Sequence, residues 1–288
     1  MLLKDKKGES SLFFLIFTDL DGTLLDHESY RWEKAGPALC YCRKTGIPVI
    51  MVSSKTRAEI EVFEREMNLN FPFISENGGG IYFPGDFPSH ESIDGVLPAG
   101  EKLKLILGKP YDYLVTQLYE ISKETGIRVK GFSQMSRKEI MSLTGLTQEE
   151  CVRAARRDFD EPFIILNKDL NGGHIKSSAE KRGLKISEGG RFLHLHGQSD
   201  KGQAVNRLIS IYKSMHGRVY SIALGDSPND FAMFENADQA VLVRSKKRFD
   251  NLEKRFPGII TTQKEGPEGW NSAVLGLLKT KREVLFDV

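Results

Sequence analysis

Leu12-Phe13-Phe14-Leu15-Ile16-Phe17-Thr18-Asp19-Leu20-Asp21-Gly22-Thr23 joins an unbroken apolar run to two closely spaced carboxylates. A run without polar alternation fits a strand covered on both faces, as in a parallel sheet flanked by helices. Lys4, Lys6 and Lys7 give the preceding residues the outline of a secretory leader. The apolar run is too short for that role and leads into Thr18-Asp19-Leu20-Asp21 with no small-residue cleavage site, so a buried strand is expected.

Working outward, Pro48 to Val52 is a second apolar run, and Arg57 to Met67 carries Ile60, Phe63 and Met67 at helical spacing. Phe71 to Ser75 predicts a third strand, closed by Glu76-Asn77-Gly78-Gly79-Gly80. Alternation resumes with a helix over Lys201 to Met215, a strand over Val219 to Leu224 and a helix near Asn229 to Glu235. A strand over Ala240 to Val243 and a helix after Trp270 follow. The expected fold class is α/β: a doubly wound, mostly parallel sheet.

The middle of the chain has another character. A helix is expected over Tyr111 to Thr125, and Ser136-Arg137-Lys138-Glu139 and Thr147-Gln148-Glu149-Glu150 fit the capping box that opens a helix. Strands are expected at Phe163 to Leu166 and Phe192 to Leu195, with turns at Gly172-Gly173 and Gly189-Gly190. The expected division is a core of residues 1–86 and 191–288 with an inserted α+β domain over 87–190.

Of the 288 residues 40% are hydrophobic and 28% charged, the balance of a soluble globular protein. The 41 basic and 39 acidic residues nearly cancel, so neither nucleic acid nor an anionic membrane is an expected partner. Cys40, Cys42 and Cys151 form no CxxC pair, which argues against a disulfide framework or a zinc site and for a reducing cytoplasm. No stretch approaches the roughly 20 apolar residues of a membrane span. Oligomeric state leaves no mark in the sequence.

In a doubly wound sheet ligands bind beyond the carboxyl ends of the strands, which points to the loops after Phe17, Val52, Ser75 and Leu224. The first holds Asp19 and Asp21, and the last reads Gly225-Asp226-Ser227-Pro228-Asn229-Asp230. Like charges at a dry edge suppress each other's ionisation, and a cation resolves the conflict. Hard oxygen donors with room for water and phosphate suit Mg2+ rather than zinc. Taken singly, Asp19 and Asp226 also read as helix caps or turn formers.

Asp19-Leu20-Asp21-Gly22-Thr23, Ser53 after a strand, Lys201, and Gly225-Asp226-Ser227-Pro228-Asn229-Asp230 occur in the order of the four motifs of the haloacid dehalogenase-type phosphatases, which the chain resembles. The insertion between Ser53 and Lys201 lies where the subgroup with the larger α/β cap carries that cap. The resemblance implies Asp19 as nucleophile, Asp21 as general acid and base, and Ser53 and Lys201 on the phosphate. It further implies Mg2+ held by Asp19, the Asp21 main-chain carbonyl and Asp226, with Asp230 a ligand or its supporting partner. Alone, Ser53 reads as a helix cap and Lys201 as a solvated residue.

A narrower resemblance is to the mannosyl-3-phosphoglycerate phosphatases. It rests on Ser53-Ser54-Lys55-Thr56-Arg57-Ala58-Glu59, Glu76-Asn77-Gly78, Arg157-Asp158-Phe159-Asp160-Glu161-Pro162, Gly189-Gly190-Arg191-Phe192 and Glu265-Gly266-Pro267-Glu268-Gly269-Trp270. Ser53 in place of Thr, and Gly79-Gly80 in place of a bulkier pair, depart from it. The implied substrate is a small phosphate ester with a carboxylate and sugar hydroxyls. Arg157 and Arg191 would read the carboxylate, and Glu76, Asn77 and Glu268 the hydroxyls. Ser54, Lys55, Gly78 and Asn229 would border the same pocket. Without the resemblance, Arg153, Arg156 and Arg157 read as a solvated helix face, Glu76 to Gly80 as a turn, His194 and His196 as a packed or solvated pair, and Trp270 as core. Sucrose- or trehalose-phosphate hydrolysis, phosphomutase chemistry and a silent sugar-phosphate binder are the competing functions.

Overall fold

Phe13–Thr18 is a strand that pairs in parallel with Val219–Gly225 on one side and Val49–Met51 on the other. Gln239–Arg244 and then Ile260–Glu265 extend the sheet beyond Val219–Gly225, again in parallel. The computed structural model describes residues 12–88, 90–167, 173–189, 192–246 and 249–286. Lys4, Lys6, Lys7, Gly172, Gly190 and Arg191 therefore lie outside the described residues.

The two faces of the first strand separate the core as its pleat requires. Phe14 and Ile16 pack in one cluster with Leu20, Val241 and Trp270, while Leu15 and Phe17 pack in another with Leu208, Phe234 and Ile50. Covering both faces explains why the run carries no polar alternation. The helix Arg57–Glu66 opens with a full capping box between Thr56 and Glu59, and Lys201–His216 opens on the side chain of Asp200. The edge strand Ile260–Glu265 escaped the sequence reading because Thr262 is its one buried residue. The last helix begins at Gly266, ahead of the expected start.

The strand pairings move both edges of the insertion. Phe73–Ser75, Gly80–Pro84, Lys102–Ile106 and Val96–Ala99 form an antiparallel sheet tied to the parallel one through the Val52–Ile74 bridge. Phe87 and Leu105 are buried with Phe17 and Ile50, so residues 87–107 belong with the core rather than with the insertion. At the other end Phe192–His196 pairs with Asp160–Ile165 and Lys185–Gly189. The described pairings thus group residues 87–107 with the core and Phe192–His196 with the inserted sheet. The short strands after Pro84 and the His-Leu-His alternation hide these groupings in the sequence.

Within the insertion Tyr111–Thr125 and Gly173–Lys181 cover one face of the antiparallel sheet, with Leu114, Leu118 and Ile175 against Phe163 and Leu195. Both predicted capping boxes form, at Ser136 and at Thr147. No helix among the described residues is long and apolar enough to cross a membrane.

Candidate active site

Asp19 follows the central strand, and its amide donates to the Leu224 carbonyl across the pair, so both carboxylate-bearing loops leave the same edge. Gly22 turns the first loop at φ +79°, and a Cβ there would lie 2.9 Å from Asp226 Oδ2. Glycine is thus required twice, for backbone hand and for the approach of a carboxylate.

Lys201, buried at the start of its helix, places Nζ 2.6 Å from Asp19 Oδ1 and 2.8 Å from Asp230 Oδ1. The other oxygen of Asp230 accepts from the amides of Asp226 and Ser227 and from Ser227 Oγ, each at 3.0 Å. Carboxylate oxygens of Asp19, Asp226 and Asp230 come within 4.8 Å of one another, a group able to hold a metal ion. Burial pushes the Asp19 carboxyl up to about 8, with Asp230 and Asp21 adding to the rise and Lys201 opposing it. The Lys201 ammonium is depressed by burial but raised more by Asp19 and Asp230, for a net rise. Asp21 places Oδ2 2.9 Å from Lys55 Nζ, while its Oδ1 is buried without a hydrogen-bond partner. An orphaned anionic oxygen beside three clustered carboxylates fits a site that takes a divalent cation.

Ser53 is 1% exposed, and its Oγ accepts from the Lys55 amide at 3.1 Å. The Asn77 amide donates to the Ser53 carbonyl and the Glu76 amide to that of Lys55, which ties the second and third loops together. Beneath the nucleophile strand Trp270 Nε1 donates to Thr18 Oγ1 at 3.0 Å, and Thr18 Oγ1 donates to the Asp19 carbonyl. Trp270 is therefore core, and it braces the active-site strand. The haloacid dehalogenase-like hydrolase profile matches residues 16–106 and 169–264.

The chain belongs to the haloacid dehalogenase-like hydrolases. It is 38% identical over 269 residues to a glucosyl-3-phosphoglycerate/mannosyl-3-phosphoglycerate phosphatase of Methanococcoides burtonii, covering 92% of this chain and 97% of the relative. It is 37% identical over 268 residues to a protein of the same description from Persephonella marina, with the same coverage. The crystal structure of Thermoplasma acidophilum 0175 shares the fold, with a TM-score of 0.65 at 21% identity over 93% of this chain and 99% of that one.

In this haloacid dehalogenase-like hydrolase several residues expected to face the substrate turn inward at the junction between core and insertion. Glu76 is 2% exposed and accepts from the amides of Asp158 and Phe159 at 3.0 and 2.8 Å. Burial pushes its carboxyl up to about 8, against the pull of the Arg157 guanidinium. Arg157 donates to the Ala154 and Ser54 carbonyls and to Asp160 Oδ2. Its side chain is buried rather than solvated. Gly78, at φ +96°, would drive a Cβ to 2.1 Å from the Asp200 carbonyl, so it seats the helix that carries Lys201.

The departure at Gly79-Gly80 has a steric cause. A Cβ on either would lie 2.4 Å from Phe159, whose ring fills the space that a bulkier pair would occupy. Asn77 and Asn229 pair with each other at 2.9 Å across two loops. Glu268 lies in the first turn of the last helix with Lys34 and Lys264 at 3.5 and 3.7 Å.

Sequence reasoning missed Asp160, which is fully buried between Arg157 and His194 Nδ1, the latter at 2.8 Å. Burial would raise its carboxyl, but His194 and Arg157 hold it below the usual range. In the strand register Asp160 stands opposite His196, with His194 reaching it diagonally, a placement the sequence alone does not show. His196 Nδ1 donates to the Gly197 carbonyl and its Nε2 lies 3.1 Å from Ser187 Oγ, and neither histidine joins a metal-binding group among the described residues.

Proposed function

We propose that the chain is a Mg2+-dependent phosphatase that hydrolyses a glycosyl-3-phosphoglycerate, most fittingly the mannosyl ester, through an aspartyl phosphate on Asp19. The observation that carries the chemistry is Lys201, wedged between Asp19 and Asp230 at an edge that also bears Asp226 and Asp21. The substrate follows from two relatives of that description, at 38% and 37% identity over 92% of the chain.

Asp19 attacks phosphorus, the ester P–O bond breaks, and Asp21 protonates the departing oxygen. Water then attacks the aspartyl phosphate, with Asp21 taking its proton, and free phosphate and Asp19 are regenerated. Lys201 and Ser53 hold the equatorial oxygens on which charge accumulates. Lys55, against Asp21, lies on the side of the leaving oxygen. Asp19, the Asp21 main-chain carbonyl and Asp226 would hold Mg2+, which when bound neutralises phosphate charge. Asp230, with both oxygens engaged, orients Lys201 and the Asp226 loop rather than ligating metal.

Arg157 and Glu76 are better suited to fixing the cap on the core than to binding sugar, given their internal bonds. Phosphate release should be followed across mannosyl- and glucosyl-3-phosphoglycerate, sucrose phosphate, trehalose phosphate and hexose phosphates, with and without chelator. The expected outcome is sustained release from the glycosyl-phosphoglycerates, silenced by chelation and restored by Mg2+. Preference for another ester would overturn the substrate, and transfer of phosphate to a second hydroxyl without net release would overturn hydrolysis.

A further inference from the structure

The loop after the first motif holds an aromatic residue in an uncommon state. Tyr30 is 50% exposed and has φ 54°, a left-handed conformation that side chains other than those of Gly, Asn and Asp seldom adopt. The loop is locked around it. Asp26 Oδ1 accepts from the Ser29 amide and hydroxyl, the Asp26 amide donates to the Arg31 carbonyl, and the Tyr30 amide donates to the Asp26 carbonyl. A backbone held in this hand, with a large ring turned out of the core, asks what the ring meets.

The ring meets the catalytic edge. Lys55 Nζ lies 5.1 Å from the Tyr30 ring centroid and 2.9 Å from Asp21 Oδ2, so one ammonium group separates ring from carboxylate. In the mechanism above Asp21 protonates the leaving oxygen, so the organic part of the ester departs on the side of Asp21. Whatever lies beyond Asp21 and Lys55 borders the leaving group rather than the phosphate.

We infer that Tyr30 is a specificity residue: the exposed part of its ring that Lys55 leaves uncovered is the platform for the glycosyl part of the leaving group, with Lys55, between it and Asp21, facing the glycerate carboxylate. The inference rests on the proposed substrate class. The chemistry is complementary, because the C–H face of a sugar ring is weakly positive and the face of an aromatic ring weakly negative. Aromatic walls with few fixed polar groups are the ordinary lining of small-ligand sites. A cation placed between platform and general acid suits an ester whose carboxylate stands two carbons from the phosphorylated one.

The test compares kcat/KM for mannosyl-3-phosphoglycerate with that for 3-phosphoglycerate, which lacks the sugar, in the full chain with Mg2+. Tyr30→Ala should lower the ratio of the two by about three- to tenfold, mainly through KM, and Tyr30→Phe should restore it. Inhibition by the phosphate-free product, mannosylglycerate, should weaken by the same factor in Tyr30→Ala. Equal losses on both esters would overturn the inference, since they would mean that Tyr30 only holds Lys55 and Asp21 in place. So would an unchanged ratio, and so would a Tyr30→Phe variant as impaired as Tyr30→Ala. A wild-type chain that releases no phosphate from any glycosyl ester would overturn the substrate assignment and this inference together, whereas a selective wild type with an unchanged Tyr30→Ala ratio would overturn this inference alone.

Discussion

The catalytic edge and the junction between core and cap are both buried and both charged, but their charges balance differently. At the edge the four carboxylates of Asp19, Asp21, Asp226 and Asp230 face the two ammonium groups of Lys55 and Lys201. At the junction Glu76 is met by two amides, Asp158 by the Tyr82 hydroxyl at 2.7 Å, and Asp160 by Arg157 and His194. A buried excess of negative charge calls for a cation that the chain itself does not supply. At the junction Arg157, His194, amides and the proton kept on Glu76 answer the carboxylates from within, with Asp160 Oδ1 left without a hydrogen-bond partner among the described residues, and these residues are architecture. This difference separates residues that act on a ligand from residues that hold the acting ones in place.

The largest expected effect is at the edge. Lys201→Met removes the ammonium that lies between Asp19 and Asp230 and leaves both carboxylates buried. Breaking a buried ion pair in this way costs about 3–5 kcal/mol of stability, and losing one phosphate donor lowers kcat by about 10²–10³. Urea denaturation and phosphate release measure the two. Native stability in Lys201→Met would break the comparison, because the edge would then not depend on its cations.

At the junction the next effect is steric. Gly79→Ala or Gly80→Ala places a Cβ 2.4 Å from Phe159, and relieving that overlap should cost about 1–3 kcal/mol. In a Phe159→Ala background Gly80→Ala, whose Cβ meets the ring at Cε2, should cost much less, whereas Gly79→Ala, whose Cβ meets Phe159 Cβ, should keep most of its cost. Equal costs of Gly80→Ala in both backgrounds, read from urea midpoints, would mean that the Phe159 ring is not the obstacle.

The motif residues were legible in the sequence because the sheet does the assembly. Strands of one parallel sheet send their following loops to one edge, which is where Asp19, Ser53 and Asp226 stand, and Lys201 reaches that edge as the first residue of the helix leading into Val219–Gly225. The junction was illegible for a complementary reason. Glu76, Gly78 and Arg157 are polar or conformationally special, as ligand-binding residues are, but only the partners found in space distinguish an occupied carboxylate from an available one. Neither the packing of Phe159 on Gly79-Gly80 between core and insertion nor the approach of Asp160 to His194 across an antiparallel strand pair is visible in the sequence. The strands Val96–Ala99 and Ile260–Glu265 likewise lacked the alternation on which strand prediction depends, whereas Lys102–Ile106 alternates Lys with Leu and was readable.

The smallest effect sharpens the comparison by pH. Glu76 rises from 4.5 to about 8 on folding, so the folded chain keeps a proton there that the unfolded chain releases. Its contribution to stability is full below pH 4.5 and is lost as pH rises through about 8. Glu76→Gln keeps a neutral acceptor and should flatten this part of the pH profile of the urea midpoint. An unchanged slope in Glu76→Gln would place the ionisation elsewhere.

The account stands most directly on Asp19. Enzyme mixed with 32P-labelled mannosyl-3-phosphoglycerate and Mg2+, quenched in acid within one turnover and digested, should carry label on the peptide containing Asp19, removable by hydroxylamine as an acyl phosphate is. Asp19→Asn should fold with native or higher stability, because it removes a buried like charge, and should show neither label nor phosphate release. Label on another residue, or near-normal phosphate release from a folded Asp19→Asn, would contradict the account.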